Sequence, residues 1–361
     1  MKLWLFGPLP RYLRGLLSTR VLAVLVALGG LLQVLDLLEA TTDILARGQG
    51  LAGVGLYVAL RSPTLILQAL PLAALIGAVF AFSTLAKQHE VIALRAAGLP
   101  FRRVVLALLP TVLLLITSQW LLAEVVVPRS QRALTAWWAS LPSPKDDNAD
   151  TELLWFKSSG AVIGVAHARP DGRQLDGVRI FKRDAEGHLL SRTVAASARY
   201  AERQWTLSDA VVTDFSQNRT APAAATLAWD TSLRPSDVQR LVAAEPYVSG
   251  GLAAAVLTGT SSGVKTPAFY LTRVQKTWAD PVIALVMLLL ATPVAVALTR
   301  VSKSGPMLLA LGSGLLFLLS HGLSAALGEA GLIAPLTAAW AAPALFGLLG
   351  LTFLIRLDRH Q

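Results

Sequence analysis

Six long apolar stretches flank a polar block of about 150 residues, three on each side, and this arrangement limits the possible folds more than any other feature. Ser62–Ala86, Val104–Ala123, Pro281–Thr299 and Ala330–Ile355 contain no Asp, Glu, Lys or Arg, and Val21–Leu35 is equally free of charge. Ser304–Gly328 carries a single ionisable group, His321. A helix rises about 1.5 Å per residue, so each stretch is long enough, or nearly so, to cross a hydrocarbon core of about 30 Å. In lipid only a segment that satisfies its own backbone polar groups survives, and six transmembrane helices follow. The expected fold is an α-helical membrane protein, 3+3 spans with an inserted β domain.

Charge decides the orientation this predicts. The formal net charge is +10, with only 15% charged residues and a mean hydropathy of +0.57, far from a soluble composition. With the N-terminus inside, the inner segments hold Lys2, Arg11, Arg14, Arg20, Lys87, Arg95, Arg102, Arg103, Arg300, Lys303, Arg356 and Arg359. Only Arg47 and Arg61 fall in the short outer loops. That bias places both termini in the cytoplasm and the large insertion outside. The insertion, Arg129–Lys276, balances 18 basic against 14 acidic residues without a dense basic run, which argues against nucleic acid as a partner. No small-residue cleavage site follows the first apolar run, so it is expected to remain as an anchor. Cysteine is absent, which excludes disulfides, thiol catalysis and Cys-based metal sites.

The organisation expected is residues 1–127 for spans 1–3, 128–276 for the outer domain and its return linker, and 277–361 for spans 4–6. Pro71, Pro110, Pro293 and Pro343 fall inside spans and should kink them. Ala74, Gly77, Ala78 and Ala81 recur at helical spacing, which suits close packing either within the chain or on a partner. In the outer block, Ala161–Ala166, Val178–Arg183 and His188–Val194 have strand character, with a turn at Asp184–Gly187. Trp205, Leu207, Val211, Thr213 and Phe215 alternate with Thr206, Ser208, Val212 and Asp214, predicting an antiparallel sandwich or open barrel. Ser236–Val242 has the pattern of a short capped helix, and residues 249–263 form a Gly/Ser/Ala-rich return.

The connection between spans 2 and 3, Ala86–Pro100, is the most informative short segment. Lys87, Glu90, Val91 and Leu94 recur at one-face helical spacing, and Gly98 with Pro100 supplies a stop. The result is an amphipathic helix on the inner surface: either a simple interfacial anchor, or a coupling helix whose Glu90 pairs with a cation on a cytoplasmic motor. Machinery for ATP hydrolysis is missing. Gly259–Thr266 (GTSSGVKT) lacks the G-x-x-x-x-G-K spacing that wraps phosphate, and it lies on the outer side. His321 has Ser320 beside it and no Asp nearby in sequence, so a packed histidine is the simpler reading. His89-Glu90 lacks the second histidine of a zinc motif. Asp36, Glu124 and Asp280 fall at outer ends of spans, which leaves no mid-membrane relay for ion-coupled transport.

These segments together resemble the LptF/LptG family of lipopolysaccharide-export ABC permeases, on its LptG side. The resemblance rests on Arg11-Tyr12, on Gly48-Gln49-Gly50, and on Leu70-Pro71-Leu72-Ala73-Ala74-Leu75-Ile76-Gly77-Ala78. It continues through His89-Glu90-Val91-Ile92-Ala93-Leu94-Arg95-Ala96-Ala97-Gly98 and Glu124-Val125-Val126-Val127-Pro128, then the outer Gly177–Phe181 and Trp205-Thr206-Leu207. It implies a non-catalytic permease subunit of the bacterial inner membrane that extracts lipopolysaccharide. It implies a periplasmic β-jellyroll, an LptF-like partner, and an LptB-like cytoplasmic ATPase dimer that binds the ATP and Mg. LptC/LptA-like bridge proteins would receive the lipid, and no cofactor is expected in this chain. Glu90 then matches the coupling-helix carboxylate, with Val91, Leu94, Arg95 and Gly98 beside it at the ATPase contact. Family members commonly carry lysines at the outer end of span 1. This chain has Gln33 and Asp36 there instead, so lipid contact would involve Gln33, Asp36, Arg61, Arg129 and Arg132, and phosphate attraction would fall to Arg47, Arg61, Arg129 and Arg132, each of which also fits an ordinary interfacial arginine. A permease for another amphiphile, lipoprotein or phospholipid, and a membrane-anchored structural or sensory protein stay open as alternatives.

Overall fold

The computed structural model describes residues 7–97, 99–141, 154–158, 161–169, 172–183, 188–215, 219–220, 224–231, 233–235, 237–238, 247–261, 265–299 and 305–359. The chain divides into two compact units, Met1–Ser130 with Leu271–Gln361, and Gln131–Tyr270.

The first unit is helical. Helix α1 (Pro8–Ala46) opens with proline at its first position, where the missing N–H costs nothing. It reverses through Gly48, whose positive φ of 77° suits a residue without Cβ, into α2 (Gly50–Lys87). After α3 (Glu90–Ala96), α4 (Phe101–Leu121) runs through one π turn (Leu122–Val126) into α5 (Val127–Ala139). After the second unit, whose last helix α6 (Gly250–Leu257) is capped by the Ser249 hydroxyl, the chain returns through α7 (Pro267–Ala291), α8 (Gly305–Glu329) and α9 (Pro335–Arg359). Six helical stretches among the described residues are long and apolar enough to cross a membrane. Pro71, Pro110 and Pro343 lie inside α2, α4 and α9. At Pro293 the change is larger: α7 stops at Ala291 and the chain continues as a 3₁₀ helix, Thr292–Thr299. Proline clashes with the carbonyl four residues back, and a tighter helix relieves it.

Two apolar clusters hold the spans together. Leu13, Leu17 and Val21 of α1 meet Val79, Phe82 and Leu85 of α2 and Phe101, Val104 and Leu108 of α4. Ala74 and Leu75 of α2 meet Ile283 and Met287 of α7, Phe317 of α8 and Phe346 of α9. The small residues of α2 serve packing within the chain: Ala74, Gly77, Ala78 and Ala81 are all buried. A Cβ on Gly77 would lie 2.7 Å from the Val21 Cα and 2.8 Å from its nitrogen, so α1 and α2 touch backbone to backbone there. Gly350 does the same for α9 against α7, where a Cβ would meet Leu289 Cβ at 2.6 Å.

The second unit holds one antiparallel sheet: β1 (Leu154–Ser158), β2 (Ala161–Ala168), β3 (Gln174–Arg183), β4 (Leu189–Ala201) and β5 (Gln204–Asp214) follow one another, and β6 (Arg219–Thr220) and β7 (Ala224–Trp229) both pair with β5. Its core gathers Ile163, Val165, Leu175, Val178, Ala198, Trp205, Leu207 and Trp229. The Trp205 indole donates to the Leu233 carbonyl at 2.8 Å, so its one polar atom is satisfied in the core. Strict alternation along β5 fails at Asp209, whose φ is 53°. Ala210 then takes the buried side beside Trp205 and Leu207, while Val211 and Thr213 are only half-buried. A left-handed residue interrupts the extended pleat, and the side chains after it change face although the pairing with β4 and β7 keeps its register. The Asp184–Gly187 turn and most of the 236–242 segment lie outside the described residues.

Candidate functional site

Where α2 gives way to α3, the backbone makes an abrupt change. Lys87 closes α2, the Gln88 N–H bonds to the Thr84 carbonyl, and His89 takes a left-handed φ of 59°. The expected three-turn helix from Lys87 is therefore a separate two-turn helix, α3, with Lys87 on the preceding element. A left-handed residue cannot continue a right-handed helix, which is why the periodicity breaks at 89. The His89 carbonyl accepts from Ile92 and Ala93 at 3.1 and 3.0 Å and starts the new helix. Leu99 N–H returns to the Leu94 carbonyl at 3.0 Å, and Pro100 caps α4.

The two faces of α3 differ. Val91 is buried in the first apolar cluster beside Phe101 and Leu85, and Leu94 packs on its edge. Ile92 and Ala93 are exposed. Glu90, half-buried, meets a side chain from the first turns of α1: the Tyr12 hydroxyl donates to Glu90 Oε1 at 2.9 Å. Gln88 Oε1 stands farther from the same hydroxyl, at 3.5 Å. Pro8, Leu9 and Tyr12 from α1 and Glu90, Ala93 and Leu94 from α3 line a groove of about 490 Å³. Gly98 and the Arg95 side chain lie outside the described residues.

The candidates for lipid contact are dispersed, and two of them satisfy each other. Asp36 of α1 accepts from Arg61 Nε at 2.9 Å and from the Tyr57 hydroxyl at 2.7 Å, both on α2. The Arg61 and Asp36 side chains are 27% and 15% exposed, so much of the cation's charge is spent inside the chain. Gln33, one turn earlier on α1, has both amide atoms buried with no hydrogen-bond partner among the described residues. Arg129 is exposed and donates to the Val125 carbonyl at 3.1 Å, one turn back on its own helix. Arg132 is exposed on α5.

A polar node joins three spans, α4, α7 and α8. His321 of α8 is buried, stacks on Phe317 with ring centroids 5.6 Å apart, and places Nε2 3.0 Å from Asp280 Oδ1 on α7. An ionised carboxylate only accepts, so Nε2 carries the proton. Gln119 of α4 donates to the Asp280 backbone carbonyl at 3.1 Å. Nearby in sequence, Thr277 donates to Glu124 Oε1 at 3.3 Å, and Trp120 stacks against Trp278. The histidine that looked alone in sequence has an acidic partner 41 positions away. Sequence reasoning missed Tyr12, Tyr57 and Gln119 as partners; Tyr12, beside Arg11 just before span 1, was the one carrying a signal.

Among the described residues no three His, Cys, Asp or Glu side chains converge as a metal site.

The model of the family described as lipopolysaccharide export system permease LptF/LptG matches residues 11–356. The chain is 27% identical over 257 residues to the lipopolysaccharide export system permease protein LptG of Escherichia coli K12, covering 67% of this chain and 68% of that one. It is 24% identical over 245 residues to the LptG protein of Haemophilus influenzae, covering 64% and 65%.

Proposed function

The chain belongs to the LptF/LptG family of lipopolysaccharide export system permeases, and we propose that it is the LptG-type subunit of an ABC exporter that lifts lipopolysaccharide from the bacterial inner membrane. The observation that carries this is α3, a short amphipathic helix between two spans. It is anchored by Val91, and its Glu90 carboxylate is held at the surface. A peg of this build can receive the motion of a cytoplasmic motor, because its buried face ties it to α2 and α4 and its polar face is free to meet a partner. Glu90, Val91, Leu94, Arg95 and Gly98 form the motor contact in this reading.

The twelve basic residues of the inner segments support cytoplasmic termini and a periplasmic β domain. The energy comes from an LptB-like ATPase dimer that binds ATP and Mg, since the chain has no phosphate-cradling loop of its own. Among the six spans, α1 and α8 are the least buried in the single chain, with Leu22, Val26, Leu31 and Leu38 of α1 and Leu315, Leu316, Leu319 and Leu323 of α8 exposed. Such faces fit hydrocarbon, or a second six-span chain of the LptF type around a lipid chamber. Lipid leaving that chamber passes to LptC/LptA-like bridge proteins. Because Asp36 takes up Arg61, phosphate attraction falls mainly to the remaining outer arginines in this reading, and Gln33 offers span 1 only a neutral hydrogen-bonding group.

Reconstituting the chain with its ATPase, six-span partner and bridge proteins in proteoliposomes tests the proposal directly. ATP-dependent release of lipopolysaccharide is expected, and Glu90→Lys should lose ATPase association or coupling while the spans stay folded. Full transport by Glu90→Lys would remove α3 as the coupling element.

A further inference from the structure

Resting on the cytoplasmic placement of α3 proposed above, we infer that the motor-docking site is shared between two helices. The first turns of α1 supply its other wall, and Tyr12 is the positioning residue that sets the Glu90 carboxylate. A glutamate on a two-turn helix has three rotatable side-chain bonds, and freezing them at the moment of binding costs entropy. Here the Tyr12 hydroxyl already donates to Oε1 at 2.9 Å, which leaves Oε2 for an incoming cation. The tyrosine is 44% exposed, so its ring also forms part of the surface a partner meets. Between the two helices runs the groove of about 490 Å³ bounded by Pro8, Leu9, Tyr12, Glu90, Ala93 and Leu94. Among the described residues that line it, Glu90 is the one charged side chain and the others, Tyr12 aside, are apolar.

The charge around this groove defines the occupant. In the segments assigned to the inner side, Glu90 and Asp358 are the only acidic side chains, against twelve basic ones. A uniformly basic partner would be repelled by that excess of positive charge, and a uniformly acidic one would be repelled by Glu90 itself. The complementary surface is a single guanidinium or ammonium group beside an apolar side chain, ringed by carboxylates. That surface, on the cytoplasmic ATPase, is the occupant of this groove. Contact through α1 also gives the motor a grip on span 1 as well as on the α2–α4 connection.

The test uses the full chain in its membrane complex, stripped of ATPase and rebound with the ATPase that copurifies in mild detergent. A photoreactive benzoylphenylalanine is placed at Ala93 in one variant and at Pro8 in another, both exposed positions. Crosslinks from both positions to one ATPase surface, in a peptide carrying Lys or Arg among acidic residues, are the expected result. A crosslink from position 93 without one from position 8 overturns the shared groove and leaves the transporter reading intact. No crosslink to an ATPase from either overturns both. Tyr12→Phe should weaken ATPase rebinding roughly three- to tenfold, the scale of one typical intramolecular hydrogen bond. In a Glu90→Ala background the same change should do nothing further. An equal loss in both backgrounds would make Tyr12 a mere packing residue and overturn its positioning role.

Discussion

Removing one member of the Asp280–His321 pair should hurt more than removing both. In Asp280→Leu, His321 keeps its stack on Phe317 but loses its partner at 3.0 Å, and Nδ1 is already buried without one, so the ring has two unsatisfied nitrogens. An unmade hydrogen bond of a buried polar group costs about 1–3 kcal/mol, and we expect about 2 kcal/mol here. In His321→Leu the carboxylate is left behind, but its side chain is 31% exposed and can hydrate, so the expected loss is nearer about 1 kcal/mol. The double change to leucine removes both polar groups between α7 and α8 and should sit within about 1 kcal/mol of the native chain. The sum of the single effects therefore exceeds the double effect by about 2 kcal/mol. That is above the roughly 0.6 kcal/mol average for interhelical bonds in membranes and near their upper range, because the ring lacks any alternative partner. Unfolding midpoints in mixed micelles titrated with SDS measure all four corners of the cycle. Additivity to within about 0.5 kcal/mol would refute the reasoning and mark the 3.0 Å approach as energetically idle.

Three further outcomes follow from packing and charge. Gly77→Ala should push α1 from α2 by about 1 Å and cost about 1–3 kcal/mol in the same titration. Because the obstruction is Val21 backbone as well as its side chain, adding Val21→Ala should not restore stability, and full restoration would show the approach is not backbone-limited. Arg61→Gln should leave Asp36 with only Tyr57 and destabilise the α1–α2 pair. Asp36→Asn in the same chain should recover most of that loss if Arg61 is structural, whereas transport lost without any loss of stability would show that the guanidinium serves the lipid instead. Trp205→Ala should cost about 3–5 kcal/mol in the β unit, read by its near-ultraviolet signal, since it empties a fully buried site and orphans the Leu233 carbonyl. A loss below about 1 kcal/mol would mean the site collapses freely.

What a linear chain states without its fold is its solvent and its periodicity. Uncharged runs of twenty residues have one stable form in hydrocarbon, so the six spans and the β insertion between the third and fourth could be placed from composition alone. Glu90 stood out for a similar reason, as a rare carboxylate on an otherwise basic side. Helix breaks inside these runs were less accessible. The left-handed His89 and the 3₁₀ stretch after Ala291 are local backbone choices that averaged hydropathy does not register. The change of face at Asp209 is of the same kind, because one left-handed residue reverses an alternation that looks regular on paper.

Pairing between distant positions belonged to the tertiary structure entirely. Asp280 and His321, Asp36 with Tyr57 and Arg61, and Tyr12 with Glu90 are separated by 41, 21, 25 and 78 positions respectively. Each looks in sequence like a solitary polar group at the edge of a span, available for lipid, ion or partner. Folding spends some of them on one another: Arg61 becomes a counter-ion and His321 a ring with a carboxylate beside it. The physical reason is that a charge in or near hydrocarbon must find a partner, and which partner is within 3 Å depends on helix packing that only the close approaches at residues such as Gly77 and Gly350 establish.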